Sequence, residues 1–421
     1  MQKLFFGEGA PSRNRIYFWN LASSMVYSLQ SAILLLVITR AGGLFAAGTF
    51  SAVYAITQTL TSLGSYSMRN YQVSDIRDEY SFSTYFSSRV VTSLIMVLAC
   101  LGYAVFHQMD LESTILTFLF SLYRFTECME DVYHGEIEKQ KRLDVVSIAV
   151  TVRVVLATLA FCLIFILTRS LIYAGLGMLL TAVLLVFLFN RLILTQFPHV
   201  HAAWHPNGVL RLLAVTFPVF IGAILYNYLV NAPKLSIFRV LDAQTQAIFN
   251  ILFMPIFVIN ILSQFIFRPM VAQMGIWWQS GAIRELRVSI RRQILIISAL
   301  TLLIVIVGYF LGCSVLGFVY GVDLSGLSLL FALLLVFGGI AALDTFFSVV
   351  LTIMRKQIYI IVGYVIGYIL CFFFIDTIVS AYGLSGAGYA YGLIMTTIFI
   401  VFVIAYIVEM HSRAKTSEKV G

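Results

Sequence analysis

Charge is scarce in this sequence. Only 11% of its 421 residues are Asp, Glu, Lys or Arg, 61% are apolar, and the mean hydropathy is +0.96. Water-soluble domains carry about 25% charge, so the shortage excludes an exterior held in water and leaves lipid as the solvent for most of the surface. Long polar stretches are missing as well. The longest, near 68–89, 195–208 and 268–293, are too short to form a separate soluble domain, and function must reside among the helices. The first apolar run, 16–39, ends at Arg40 without a small-x-small site, which argues against a cleaved signal peptide. Cysteine is sparse and irregular. Cys100, Cys128, Cys162, Cys313 and Cys371 fall in or beside apolar runs at unrelated spacings, excluding a disulfide framework or a zinc site and leaving them as packing residues. The net charge of +8 is dispersed over short loops, so no basic face exists for nucleic acid.

What is present is a succession of apolar runs. A bilayer core about 30 Å thick takes roughly 20 residues per helix. The runs predict spans near 16–39, 43–67, 90–107, 113–132, 145–167, 170–193, 209–230, 243–266, 294–316, 327–352, 357–379 and 384–408. With both ends cytoplasmic, Lys and Arg concentrate in the tails and cytoplasmic loops; Arg40, Arg169, Lys234 and Arg239 fall on the opposite side and Arg153 inside a span. That asymmetry supports the orientation and the even number of spans.

The stretch 196–208 carries two prolines, three histidines and a glycine, and marks the boundary between an N-terminal lobe (1–200), a C-terminal lobe (201–408) and a tail (409–421). His199, His201 and His205 lack nearby Cys or carboxylates, so no metal is assigned to them. An ungapped offset lays Arg40 on Arg239, Phe50 on Phe249 and Arg69 on Arg268; a further offset lays Asp131 on Asp344. The recurrence predicts two parallel copies of a six-helix unit. The expected fold is therefore all-α, a polytopic membrane protein of about twelve transmembrane helices in two six-helix lobes around a central cavity.

An ionisable group inside a span costs at least about 2.5–3.5 kcal/mol on insertion scales and so marks a functional position by default. Arg40, Arg153, Lys234 and Arg239 are the candidates for a cationic cavity able to hold phosphate or pyrophosphate. The competing readings are snorkelling for Arg40, Lys234 and Arg239, and for Arg153 a buried pair with a carboxylate such as Asp344. Asp344 and Asp242 are candidates for proton or Na⁺ coupling, with structural pairing the alternative. The amides of Asn20, Gln58, Asn227, Asn231 and Asn250 suit either sugar hydroxyls or helix–helix adhesion. Pro218 and Pro255 lie within spans and are the expected bending points. Gly363 and Gly367 form a GxxxG, read as close helix packing.

The order of these features resembles the multidrug/oligosaccharidyl-lipid/polysaccharide exporter superfamily, a MATE-like fold, and within it the Wzx-type polysaccharide repeat-unit flippases. The resemblance spans nearly the whole chain. It rests on Asn20 with LLLVITRAGGLFAAGTFSAVYA (34–55), GSYSMRNYQVSD (64–75), EKQKRLD (138–144), and NAPKLSIFRVLDAQTQAIFNILFMP (231–255) leading into FRPM (267–270). It implies export of a polyprenyl-pyrophosphate-linked oligosaccharide across the bacterial cytoplasmic membrane by alternating access. It also implies a cavity lined by cations at Arg40, Arg153, Lys234 and Arg239. The expected partners are that lipid-linked substrate, membrane lipid, and a polysaccharide polymerase and chain-length regulator. No cofactor is expected beyond coupling to a proton or Na⁺ gradient, and no acidic residue matches a coupling position of the family. Replacing Arg153 and Arg239 by Ala is expected to abolish transport and leave the fold intact. The rivals are an ion-coupled drug or metabolite antiporter of the same superfamily, which would want acidic groups for cationic drugs, and a membrane enzyme of polysaccharide assembly, for which the outer loops are too short.

Overall fold

The computed structural model describes residues 12–75, 78–196, 200 and 202–418, and among them it contains helices and no strand. The helices are α1 (Arg13–Ser65), α2 (Met68–Ser74), α3 (Phe82–Phe106), α4 (Leu111–Lys139), α5 (Leu143–Thr168), α6 (Leu171–Gln196), α7 (Val209–Val240), α8 (Ala243–Phe267), α9 (Val271–Ser280), α10 (Ile283–Val307), α11 (Cys313–Tyr320), α12 (Ser328–Ile353) and α13 (Ile358–Glu418). A 3₁₀ turn (Arg268–Met270) joins α8 to α9, and a π turn (Gly308–Gly312) joins α10 to α11. Nine stretches of the described residues are long and apolar enough to cross a membrane. The first and last each hold two passes, since helical geometry breaks at Gly43 in α1 and at Gly383 in α13. The charged α4 adds another, giving the twelve passes that the apolar runs predict.

Short polar caps start these helices. The side chains of Ser12, Ser81, Asp110 and Asp242 accept from the amides of Arg15, Thr84, Ser113 and Thr245, satisfying donors that a helix N-terminus leaves free. Gly43, at φ 82° and ψ 179°, occupies backbone space that only glycine adopts without strain. Thus α1 breaks there although no proline is present. By contrast α7 and α8 continue as helix through Pro218 and Pro255, the expected bending points. The helix α7 also runs ten residues beyond the expected end at 230, through Pro233 to Val240. Burial of Ala232, Leu235 and Ile237, each at most 3% exposed, offsets the hydrogen bond that proline removes. Lys234 and Arg239 therefore stand within α7 and not in a loop after it.

The chain divides into two compact units, Met1–Asn227 and Tyr228–Gly421. The division falls inside α7, whereas the polar linker that the sequence marks is 196–208; His199 and His201 lie outside the described residues. In the first unit α4 is central, packing against α1, α2, α3, α5 and α6. In the second α12 has the same place, packing against α8, α10 and α13. Glycines permit close approach within this unit: a Cβ on Gly312 of the π turn would lie 2.1 Å from the Phe331 ring of α12, and one on Gly363 2.6 Å from the Phe402 ring across the two passes of α13. The five cysteines are buried and free, the packing role expected of them.

Candidate functional site

The site grows from α4. Arg124, Glu127, Asp131, His134 and Glu138 recur every three or four residues, so they share one face of the helix, with Glu130 beside them. In an apolar unit that face is ionised, and arginines from other helices come to it. Arg153 of α5 donates from Nε to Glu130 Oε2 at 2.6 Å, and from Nη1 to Glu127 Oε1 at 3.2 Å and to the Tyr123 hydroxyl at 3.0 Å. Arg124 donates to Glu127 Oε2 and to Gln58 Oε1, each at 2.6 Å, and lies 4.8 Å from the centre of the Tyr54 ring. Arg89 of α3 donates to Asp131 Oδ2 at 2.8 Å and also to the Gly64 and Ser65 carbonyls that end α1. Arg69 of α2 donates to Asp131 Oδ1 at 3.0 Å and to Glu138 Oε2 at 2.8 Å. Four guanidinium groups thus meet four carboxylates, and the assembly is close to electroneutral.

Beside this network lies a pocket of ≈ 360 Å³. Arg69, Arg153, Glu127, Glu130, Asp131 and His134 form its charged wall. Asn20, Ser23, Ser24 and Tyr27 of α1 and Ser147 of α5 add hydroxyl and amide groups to its lining. Two buried atoms on the charged wall, Glu130 Oε1 and His134 Nε2, have no hydrogen-bond partner among the described residues and face each other at 3.6 Å. Such a pair can take up or release a proton, and Arg153 holds the other oxygen of the same carboxylate. Among the described residues no group of His, Cys, Asp and Glu has the arrangement of a metal site.

The residues singled out from sequence take varied positions. Arg153 lines the pocket, 2% exposed, and its carboxylate partners are Glu130 and Glu127 rather than Asp344. Asn20 lines it too, and Gln58 reaches the network through Arg124. Arg40 is exposed near the Gly43 break, where Arg169 donates to the Ala41 carbonyl. Asn227 donates to Ser62 Oγ at 2.6 Å. In the second unit Asn231 and Asn250 are buried. Lys234 is buried with Nζ 4.6 Å from the Phe253 ring centre and 5.5 Å from that of Phe257. Arg239 forks onto Asp376 at 2.6 and 3.0 Å. Asp242 is exposed and caps α8; the amide and hydroxyl of Thr245 hold its carboxyl below the usual range. Asp344 is 3% exposed, and neither of its oxygens has a hydrogen-bond partner among the described residues. Through its backbone amide His205 donates to Ser87 Oγ at 2.7 Å.

Arg69, Arg89, Arg124, Glu127, Glu130, Asp131 and His134 were missed as site residues, and Arg124 joins Arg153 as an arginine inside a span. For the five on α4 the spacing within 124–138 was the available signal, since an ionised stripe at helical period within an apolar segment has no lipid-facing solution.

No protein-family model and no curated protein sequence matches the chain. Solved structures do. The inward-facing conformation of a multidrug resistance MATE family transporter of the MOP superfamily superposes with a TM-score of 0.61 at 12% identity, covering 97% of both chains. An outward-facing conformation of such a transporter gives 0.59 at 13% identity over 99% of both. The bent form of the Vibrio cholerae MATE transporter VcmN gives 0.60 at 11%, covering 95% of this chain and 97% of that one. The fold of this protein is that of the MATE transporters, as the sequence predicts.

Proposed function

We propose that the protein is an alternating-access exporter of the bacterial cytoplasmic membrane, with both termini cytoplasmic, and that its cargo is a polyprenyl-pyrophosphate-linked oligosaccharide. The observation that carries the reading is an ionised, hydroxyl-lined pocket inside a unit whose helices are otherwise apolar, a costly arrangement that a scaffold has no use for. Solved structures of this fold described as inward-facing and outward-facing give the precedent for the cycle.

Arg69 and Arg153 offer planar forks to a pyrophosphate, and Asn20, Ser23, Ser24 and Ser147 offer partners to sugar hydroxyls. Both arginines already hold carboxylates, so an incoming anion exchanges partners with them. Arg69, 31% exposed, is the more accessible. The Glu130–His134 pair is the proposed site of proton exchange: a proton gained there weakens the hold of Glu130 on Arg153 and frees the guanidinium for cargo. Outward movement of about two negative charges down an inside-negative potential releases roughly 2.3 kcal/mol per charge per 100 mV. Arg40, Lys234 and Arg239 do not line this pocket. The released cargo would pass to a polymerase and a chain-length regulator.

Proteoliposomes loaded with a fluorescent polyprenyl-pyrophosphate oligosaccharide test the reading. Protein-dependent flipping is expected, and Ser24→Trp, an exposed pocket position away from the ion pairs, is expected to stop it. Absence of flipping together with proton-driven efflux of cationic drugs would establish the antiporter alternative instead.

A further inference from the structure

The C-terminal unit has a cavity of its own, ≈ 600 Å³, bounded by the 3₁₀ turn, α9 and the first half of α10. Two parallel rows of α10 face it, each with the four-residue spacing that stacks side chains on one face. Arg284, Val288, Arg292 and Ile296 form one row, and Glu285, Ser289 and Gln293 the other. Ile266, Met270 and Trp277 close the opposite side. Ser289 and Gln293 are 7% and 5% exposed, yet Ser289 Oγ and Gln293 Oε1 have no hydrogen-bond partner among the described residues. Buried polar atoms are normally paired, so a polar ligand completes them.

We propose that this cavity seats a membrane phospholipid whose headgroup carries a phosphate and a primary ammonium. Arg284, Arg292 and the Ser289 hydroxyl donate to the phosphate. Glu285 and Gln293 Oε1 accept from the ammonium. The acyl chains lie along Val288, Ile296, Ile266 and Met270, where a soluble phosphate would leave the apolar half of the cavity unfilled. A quaternary ammonium has no proton for Gln293, and a head without a cation leaves Glu285 facing the phosphate unopposed. Trp277 suits the level of the lipid headgroups, where an amphipathic ring prefers to lie. The site is independent of the cargo and requires only that the unit be embedded in lipid.

Native mass spectrometry of the full-length protein in detergent tests it, with phosphatidylethanolamine, phosphatidylglycerol, phosphatidylcholine and soluble glycerophosphoethanolamine as probes. The ethanolamine lipid is expected to bind about tenfold more tightly than the other three. The double variant Arg284→Gln/Arg292→Gln is expected to lose that lipid about tenfold, and Gln293→Leu to bring it down to the choline lipid. Both arginines are exposed, and an unchanged elution volume and melting temperature verify that the variants fold. Equal retention of the three lipids, tight binding of the soluble headgroup, or wild-type retention by the folded double variant would each overturn the proposal.

Discussion

Replacing Arg153 by Met tests whether the α4 face is held together by buried pairing. Arg153 donates to Glu130, Glu127 and Tyr123 from a position 2% exposed. The substitution refills much of the volume, so the loss is electrostatic rather than a cavity. Glu127 keeps Arg124 at 2.6 Å, whereas Glu130, also 2% exposed, is left with His134 at 3.6 Å. Stranding one member of a buried pair costs about 3–5 kcal/mol. Since only one carboxylate is stranded, a loss near the lower end, about 3 kcal/mol, is expected. Adding Glu130→Gln removes the stranded charge, so the double variant should cost less than the sum of the singles by about 1–3 kcal/mol. Denaturant titration in mixed micelles measures both quantities. An Arg153→Met variant within about 0.5 kcal/mol of wild type, or additive singles, would refute the reasoning. The burial of Arg153 revises the expectation that Arg153→Ala with Arg239→Ala spares the fold. Each removes one side of an ion pair, so lost transport in that variant does not report on cargo.

Gly43→Ala should destabilise by about 1–3 kcal/mol through backbone strain alone, because nothing lies within 4 Å of the added Cβ; Gly102→Ala, equally uncrowded but in regular helix near the end of α3, should instead stabilise by up to about 1 kcal/mol. Equal effects of the two in thermal unfolding would remove the strain argument. Lys234→Met forfeits the cation–π contacts with Phe253 and Phe257, about 2 kcal/mol together, but spares the burial of a charge, about 2.5–3.5 kcal/mol, so stability should hold or rise by about 1 kcal/mol. A clear drop in melting temperature would mean that the lysine has a structural partner. Burial alone would raise the Asp75 carboxyl, but the amides of Glu79 and Tyr80 and the hydroxyl of Tyr85 outweigh it and hold it below its usual range. Its contribution is therefore complete above about pH 4 and fades as pH falls through the depressed value. The stability gap between wild type and Asp75→Asn should be flat from about pH 8 to 5 and narrow below about 4, and a gap that widens in acid would contradict the assignment.

Lipid as solvent, the all-helical class and the twelve passes were settled by the sequence itself, because insertion free energy is a local sum over about 20 residues and needs no tertiary partner. The breaks at Gly43 and Gly383 fall where the apolar runs already separate spans, at 39/43 and 379/384, though the positive φ of the two glycines was not legible. Even the α4 stripe was written at helical spacing, but a span reading averages hydropathy and passes over five ionisable groups on one face. Only the tertiary structure decided which charges are matched. Arg153 finds Glu130 at 23 residues' separation and Arg69 finds Glu138 at 69, while Asp344, the counterpart of Asp131 in the repeat, acquires no such arginine among the described residues. A charge in a span announces that it must be satisfied; the identity of its partner depends on which helices pack together, and chain spacing carries no record of that.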